Sequence, residues 1–105
     1  MVTIPDIVKK TIDSYLKKLS ENGIVVVKAI LFGSYSTGKQ TEWSDIDLAI
    51  VSKSFTGSRF EDRRKIRRIT LDTNSALEVQ PYSIADFSEE DPFVKEIIET
   101  GIEVL

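Results

Sequence analysis

The chain has 105 residues, a formal net charge of −3 and 41% apolar residues, which suits one small globular domain. It contains neither cysteine nor histidine, which excludes disulfides, thiolate metal sites, thiol nucleophiles and histidine bases. Acid–base chemistry would therefore depend on carboxylates, lysine, tyrosine or water. The N-terminus is unlike a signal peptide, and no apolar run approaches the ~20 residues that span a bilayer. We expect a single cytoplasmic domain over residues 1–105, without membrane association.

The first half of the chain predicts a helix, a strand, a short turn and a second strand. Over residues 5–21, apolar residues recur at three- and four-residue steps, which is typical of one face of a helix. The nearly continuous apolar run over residues 24–32 predicts an interior strand. Residues 36–42 predict a short helix or turn, and residues 45–52 predict the second strand.

The second half begins with a helix and a third strand. Ser58 and Glu61 have the spacing of a capping box, so we expect a helix from that point to about residue 71. Residues 76–82 alternate between apolar and polar, which predicts a half-buried strand. Pro81 within it favours an edge position or a strand end, because proline cannot donate a hydrogen bond to a neighbouring strand.

The remaining residues predict a polar connection and a last helix. The connection covers residues 83–90, and Asp91 and Pro92 then begin a helix that runs to about residue 100, where Gly101 would end it. Residues 102–105 form either a short strand or a tail. The alternation of helices and strands predicts a small α/β sandwich with a mixed sheet, although the order alone leaves the strand arrangement open.

The segment between the first two strands combines a glycine–serine turn with two aspartates. Gly33 and Ser34 follow the first apolar run, and Asp45 and Asp47 come after ten intervening residues. Residues two apart on a strand project from the same face, so the two carboxylates would lie side by side while Ile46 points into the core. Adjacent carboxylates repel each other unless a proton or cation lies between them, and Mg²⁺ prefers oxygen ligands. A glycine turn that leads into a helix suits a phosphate group, so the segment suits a triphosphate and its metal.

This pattern, Gly33-Ser34 followed after ten residues by Asp45-Ile46-Asp47, resembles the signature of the nucleotidyltransferase superfamily that includes DNA polymerase β. The small size of the chain resembles the minimal nucleotidyltransferases, which are often encoded beside a HEPN-domain partner. The motif covers 15 residues, and the likeness in element order covers nearly the whole chain. The resemblance implies the polymerase-β-like nucleotidyltransferase fold, an α/β (α+β) fold in which helices flank a small mixed sheet.

A site of this kind usually has a third carboxylate on a neighbouring strand, and Glu78 is the candidate. It lies on the opposite face of the third strand from Leu77 and Val79. Without the motif, Glu78 would be interpreted as a solvent-facing residue on a half-exposed strand. The family more often has aspartate at this position. Asp72 is a weaker candidate, because it belongs to the turn that ends the preceding helix.

The resemblance implies transfer of a nucleoside monophosphate, AMP from ATP, to a hydroxyl acceptor. Gly33 and Ser34 would bind the β- and γ-phosphates, while Asp45, Asp47 and Glu78 would hold two Mg²⁺ ions and act as the catalytic residues. It further implies a HEPN-domain partner whose tyrosine accepts the AMP, with this chain as the antitoxin. Two alternatives stay open. One is an inactive module that neutralises its partner by contact, and the other is transfer to a small molecule or RNA by a homodimer.

Charge is unevenly distributed along the chain. Between residues 59 and 68, six basic residues accompany two acidic ones, Glu61 and Asp62, which leaves −7 on the rest of the chain. The basic residues are Arg59, Arg63, Arg64, Lys65, Arg67 and Arg68. Such a run is a solvated helix face, or a docking face for an acidic partner or an RNA backbone. Phe60 is the only aromatic residue among the basic ones, so the run does not indicate a platform on which the bases of a single strand would stack. We therefore expect no direct binding of nucleic acid.

Overall fold

The computed structural model describes residues 3–41 and 44–105. The chain folds as a mixed α/β protein, and the predicted order of elements is confirmed. The elements are α1 (Asp6–Glu21), β1 (Val26–Phe32), α2 (Ser34–Thr37), β2 (Ile46–Ser52), α3 (Arg59–Thr73), β3 (Leu77–Tyr82), α4 (Pro92–Thr100) and β4 (Ile102–Glu103). Within the described ranges, no helix is both long enough and apolar enough to cross a membrane.

One mixed sheet contains the four strands in the order β3-β2-β1-β4. β1 pairs antiparallel with β2 and with β4, whereas β2 pairs parallel with β3. A parallel pair needs a crossover connection, and α3 provides it. β3 occupies an edge of the sheet, which agrees with the position of Pro81.

The two faces of the sheet have separate apolar layers. On one face, α1 and α3 bury a layer that includes Tyr15, Leu31, Leu48, Ile66 and Val79. On the other face, α4 covers a smaller layer that includes Ile30, Ala49, Val51, Tyr82 and Val94. Side chains alternate between the two faces along a strand. Because Ala49 belongs to the α4 layer, β2 presents its odd-numbered residues on the α4 face. Because Tyr82 belongs to the same layer, β3 presents its even-numbered residues there.

Helix α1 is held to α3 by a buried polar contact as well as by apolar packing. The Tyr15 hydroxyl and the Thr70 hydroxyl lie 2.8 Å apart. Tyr15 is fully buried, and this burial raises the pKa of its hydroxyl to about 12. This contact joins the two helices that pack on the same face of the sheet.

The short helix differs from its prediction over residues 36–42. It begins at Ser34, directly after Gly33, and ends at Thr37. Gly38 adopts a left-handed conformation with φ 75°, which terminates the helix. Residue 42 lies outside the described residues. The serine of the glycine–serine pair is therefore the first residue of a helical turn.

The prediction of an interior strand over residues 24–32 is only partly confirmed. β1 begins at Val26, and Val27 is 40% exposed, whereas Leu31 is fully buried. β4 pairs only with Ile30 and Leu31, and a register shift follows Val26. In the described ranges, the first half of β1 therefore has a paired strand on one side only.

Helix α3 begins at its predicted cap, where Ser58 accepts a hydrogen bond from the Glu61 N–H at 3.4 Å. It continues to Thr73, two residues beyond the predicted end. Its one buried acid is Asp62, which is 1% exposed. The Asp62 carboxylate accepts from the N–H groups of Thr56 and Gly57 at 2.8 and 3.0 Å, and from the Thr56 hydroxyl at 3.1 Å. Asp62 therefore does not belong to the solvated charges of the basic run; it holds the loop between β2 and α3 in place.

Candidate active site

The turn between β1 and α2 lies against the second aspartate. Phe32, the last residue of β1, pairs with Asp47 in the antiparallel register. Gly33 has φ 73° and ψ −146°, a conformation that residues with a side chain rarely adopt. A Cβ on Gly33 would overlap the Asp47 carboxylate group and lie 3.1 Å from its Cγ. Glycine is therefore needed at this position both for the backbone conformation and for the packing of Asp47.

The serine and threonine hydroxyl groups of α2 differ in their hydrogen-bond partners. Those of Ser36 and Thr37 donate to the Gly33 carbonyl at 2.9 and 3.3 Å, and so hold the turn closed. The Ser34 side chain is half-buried, and its hydroxyl makes no hydrogen bond to residues in the described ranges. The Ser34 hydroxyl is therefore available to a ligand.

The two aspartates flank the first residue of β2. Ile46 is only 4% exposed and belongs to the core layer under the sheet, as predicted. Asp45 is exposed and Asp47 is half-buried. The Ile46 N–H donates to the Ala76 carbonyl at 2.8 Å, which fixes the start of β2 against β3. The position of the Asp45–Asp47 segment is thus set by the sheet.

Glu78 lies beside Asp47 on the neighbouring strand. The parallel register of β2 and β3 places these two residues directly opposite each other. Opposed residues project from the same face of a sheet, so both carboxylates lie on the α4 face. The Glu78 side chain is exposed. Asp72, the weaker candidate, lines a separate cavity with Lys18 and Lys65.

The pKa of Asp47 is affected by its burial and by the two neighbouring carboxylates. Its pKa is raised above the ordinary value of 3.8, firstly by burial and then by the negative charges of Asp45 and Glu78. The salt bridges formed within residues 3–41 and 44–105 join Lys28 to Glu103 and Lys95 to Glu99, so they involve none of the three carboxylates. The site therefore concentrates negative charge without a paired cationic side chain. A divalent cation would relieve this repulsion.

The donor set suits Mg²⁺, because it consists of carboxylate oxygens without sulfur or imidazole. In the described conformation, no three acidic side chains of the described ranges are yet arranged around one cation position. Asp45 and Glu78 are exposed, so other side-chain rotamers are open to both. Asp45, Asp47 and Glu78 consequently remain predicted ligands.

Aromatic side chains border the site on its α4 side. Phe32 packs edge-to-face against Phe93 at the start of α4, with ring centroids 5.9 Å apart and an interplanar angle of 88°. Phe93 is 43% exposed. Sequence analysis did not identify either residue, because Phe32 continues an apolar strand and Phe93 belongs to an amphipathic helix. The β1–β2 register places Phe32 opposite Asp47, and the packing of α4 on the sheet brings Phe93 against Phe32.

The basic helix also reaches the margin of the site. Arg63 donates to the Gln80 side-chain oxygen at 2.8 Å. Gln80 is two residues beyond Glu78 and therefore shares its face of β3. One arginine of α3 thus reaches the edge strand that bears Glu78, a placement that charge patterning along the sequence could not reveal.

A glycine–serine turn packed against paired acidic residues of a mixed sheet is the arrangement of a nucleotidyltransferase fold. The profile of a family described as the nucleotidyltransferase domain matches residues 12–104. The chain therefore belongs to the nucleotidyltransferase family. The resemblance derived from the sequence motif is confirmed.

A relative of known name supports this family. It comes from Methanocaldococcus jannaschii, carries the provisional name of protein adenylyltransferase, and is 34% identical to this chain over 62 residues. The matched region covers 58% of this chain and 42% of that protein. This chain thus spans less than half the length of that relative.

Solved structures share the fold at lower identity. A Sulfolobus solfataricus protein, provisionally assigned as a nucleotidyltransferase, has a TM-score of 0.65 and 16% identity over 91% of this chain and 78% of its own. A toxin–antitoxin structure with AMP-PNP has a TM-score of 0.64 and 22% identity, over 92% of this chain and 72% of its own. A mutant MntA–HpeT toxin–antitoxin structure has a TM-score of 0.54 and 22% identity, over 89% of this chain and 71% of its own. The predicted polymerase-β-like fold is confirmed by these neighbours.

Proposed function

We propose that this chain transfers AMP from ATP to a hydroxyl group of a partner protein. The observation that carries the proposal is the contact of the Gly33 turn with Asp47, whose pKa is raised in part by the carboxylates of Asp45 and Glu78. A phosphate-binding turn and a metal-binding acidic cluster would then be adjacent, as a triphosphate with its metal requires. The provisional name of the M. jannaschii relative and the AMP-PNP of a structural neighbour support an adenine nucleotide.

The Gly33–Ser34 turn would bind the β- and γ-phosphates. The absence of a side chain at Gly33 lets a phosphate approach the backbone, and the Ser34 hydroxyl is a donor without a protein acceptor in the described ranges. Asp45, Asp47 and Glu78 would hold two Mg²⁺ ions. When bound, Mg²⁺ would neutralise the triphosphate and stabilise the charge that develops during transfer.

For the general base that accepts the proton of the acceptor hydroxyl, we propose Glu78. The chain has no histidine, and Glu78 combines solvent exposure with a position opposite Asp47. As that proton passes to Glu78, the hydroxyl oxygen would form a bond to the α-phosphorus. The bond from the α-phosphorus to the bridging oxygen would break, and pyrophosphate would leave.

For the acceptor, we propose a tyrosine of a HEPN-domain partner, with this chain as the antitoxin. The toxin–antitoxin structures among its neighbours support a protein partner. A cytoplasmic location belongs to the same proposal, because the reaction consumes ATP. A homodimer that acts on a small molecule or RNA would leave the HEPN-domain protein unlabelled.

The second candidate function is neutralisation of the partner by contact alone. It is favoured by one observation: no three acidic side chains within the described ranges already surround a cation position. The glutamate at position 78, where the family more often has aspartate, also agrees with it. A decayed enzyme would keep the fold and the contact surface but lose the transfer.

The experiment that separates the two uses ATP labelled in its α-phosphate, Mg²⁺ and the proposed HEPN-domain partner. We expect labelled partner with the natural chain and with Asp13→Asn, a matched change on the exposed face of α1. Asp47→Asn should give no labelled partner and no neutralisation. Full neutralisation by Asp47→Asn, with no label under any condition, would establish the contact mechanism instead.

A further inference from the structure

Helix α3 presents an exposed stripe that the core does not explain. Phe60, Arg64, Arg67 and Leu71 follow one another at steps of four, three and four residues, so they lie along one face of the helix. Phe60 is 74% exposed, which makes it the most exposed large apolar side chain in the described ranges, and Leu71 is 62% exposed. The stripe therefore has an apolar side chain at each end and arginines between them.

This stripe forms one wall of a groove, which we call the α3–β3 groove. Its volume is about 600 Å³, and it lies between α3 and the edge strand β3. Buried side chains of Ile66, Leu77 and Val79 line it. Glu78 borders the groove at the edge of the sheet, although its side chain projects from the opposite, α4 face of β3. The groove thus reaches the edge strand that bears the predicted active-site carboxylate.

The arginines of the groove have no acidic partner. Arg63 donates to the Gln80 side chain, and no salt bridge within the described ranges involves Arg63, Arg64 or Arg67. Asp62, although next to them in sequence, is buried and bonded to the loop before α3. No salt bridge among residues 3–41 and 44–105 therefore neutralises the positive charge on this face, and an acidic ligand would complement it.

The free edge of β3 offers little to a partner strand. The Ile46 N–H donates to the Ala76 carbonyl, so the even-numbered residues of β3 bond to β2, and the odd-numbered residues direct their backbone groups outward. The outward Leu77 N–H already donates within its own turn, and Pro81 has no N–H. Val79 alone would supply a donor, so strand addition is disfavoured relative to a helix in the groove.

We propose that the α3–β3 groove binds an acidic amphipathic helix of a partner protein and so brings the partner's acceptor hydroxyl to Glu78. The delivery of the hydroxyl to Glu78 rests on the proposed transfer to a protein, whereas the binding of the helix does not. Phe60 and Leu71 are eleven residues apart, about 16 Å along α3, which matches roughly three turns of a second helix. Apolar residues of that helix would cover both ends, and its acidic residues would meet Arg64 and Arg67. An RNA backbone would match the arginines but leave the two apolar side chains uncovered.

The test is fluorescence anisotropy with a labelled helical peptide of about 16 residues, which has leucine along one face and glutamate on the flanks. We expect saturable binding to the natural chain and none for a peptide of scrambled sequence. The double variant Arg64→Glu/Arg67→Glu should bind roughly tenfold more weakly or worse. Lys10→Glu/Lys17→Glu makes the same change of net charge on the exposed face of α1, and should weaken binding by no more than about twofold.

An apolar pair of variants tests the ends of the groove. Phe60→Ser should weaken peptide binding severalfold, whereas Ile84→Ser, a change at another exposed apolar residue, should not. The proposal is overturned by absence of saturable binding, by equal binding of the scrambled peptide, or by equal loss in the groove and α1 variants. Displacement of the peptide by a single-stranded RNA of similar length would assign the groove to nucleic acid instead.

These measurements can fail independently of the proposed transfer. Peptide binding is measured without nucleotide, and Asp47→Asn should bind the peptide as the natural chain does. The groove variants should still be stabilised by ATP and Mg²⁺ in a thermal-unfolding assay, but should label the partner poorly. Peptide binding without any transfer would contradict the proposed function but support the proposed binding site in the groove. An unchanged rate of transfer in Arg64→Glu/Arg67→Glu would contradict the role of the groove and leave the proposed function standing.

Discussion

The substitution Gly33→Ala probes the contact between the turn and the acidic site. Two costs are expected, one from the backbone and one from packing. A residue other than glycine at φ 73° and ψ −146° costs about 1–3 kcal/mol. The added Cβ would also overlap the Asp47 carboxylate group, and relief of such overpacking costs typically about 1–3 kcal/mol. The free energy of unfolding should therefore fall by about 2–6 kcal/mol.

A double-mutant cycle separates these two costs. An Asp47→Ala background removes the two shortest contacts of the added Cβ and leaves the Cβ of residue 47 as the nearest atom, at 3.3 Å. Gly33→Ala should then cost little more than the backbone part, about 1–3 kcal/mol. Gly23→Ala is the matched control, because Gly23 also has a positive φ of 78° but no atom lies within 4 Å of an added Cβ. It should lower stability by about 1 kcal/mol and leave AMP transfer intact. Urea denaturation provides the free energies, and labelled ATP provides the activity.

The reasoning is refuted by either of two results. If Gly33→Ala costs the same with and without the Asp47 carboxylate, the turn and the aspartate are not in contact. If Gly33→Ala is folded and retains full transfer, the turn does not control the position of Asp47. Loss of transfer in Gly23→Ala to the same degree would show a general effect of stability.

Three further predictions concern single acidic side chains. Asp47→Asn should be more stable than the natural chain at pH 7 in EDTA, because folding raises the pKa of Asp47 and its charged form therefore opposes folding. The difference in the free energy of unfolding should shrink as the pH falls through the raised pKa of Asp47 and vanish below the ordinary value of 3.8. A difference that grows in acid would show that folding lowers the pKa of Asp47 instead of raising it. Asp62→Ala should lower the free energy of unfolding by about 2–4 kcal/mol in urea, because it leaves three donors unbonded, whereas Glu61→Ala should change it by less than about 0.5 kcal/mol. Glu78→Gln should abolish transfer to the partner with little change in thermal stability, since the side chain is exposed; a transfer rate within about twofold of the natural chain would exclude Glu78 as the base.

The elements and one half of the site followed from local patterns. Apolar spacing predicted α1. The start signal of Asp91 and Pro92 and the stop signal of Gly101 predicted α4. The alternation of Asp45, Ile46 and Asp47 predicted a buried isoleucine between two carboxylates, and Ile46 is buried. Such predictions succeed because the period of a strand or helix is set by its backbone.

The features that sequence reasoning missed depend on contacts between distant segments. Asp62 lies in a basic run, and nothing local distinguishes an inward carboxylate from a solvated one. Phe32 and Phe93 meet only because α4 packs on the sheet. The exposed start of β1 follows from the shortness of β4, which an apolar run cannot reveal.

The proposed site can be observed by diffraction from crystals grown with AMP-PNP and Mn²⁺, which substitutes for Mg²⁺ and scatters anomalously. We expect anomalous peaks within bonding distance of oxygens of Asp45, Asp47 and Glu78, with the triphosphate against Gly33 and Ser34. A nucleotide bound away from this turn, or metal peaks that contact none of the three carboxylates, would contradict it.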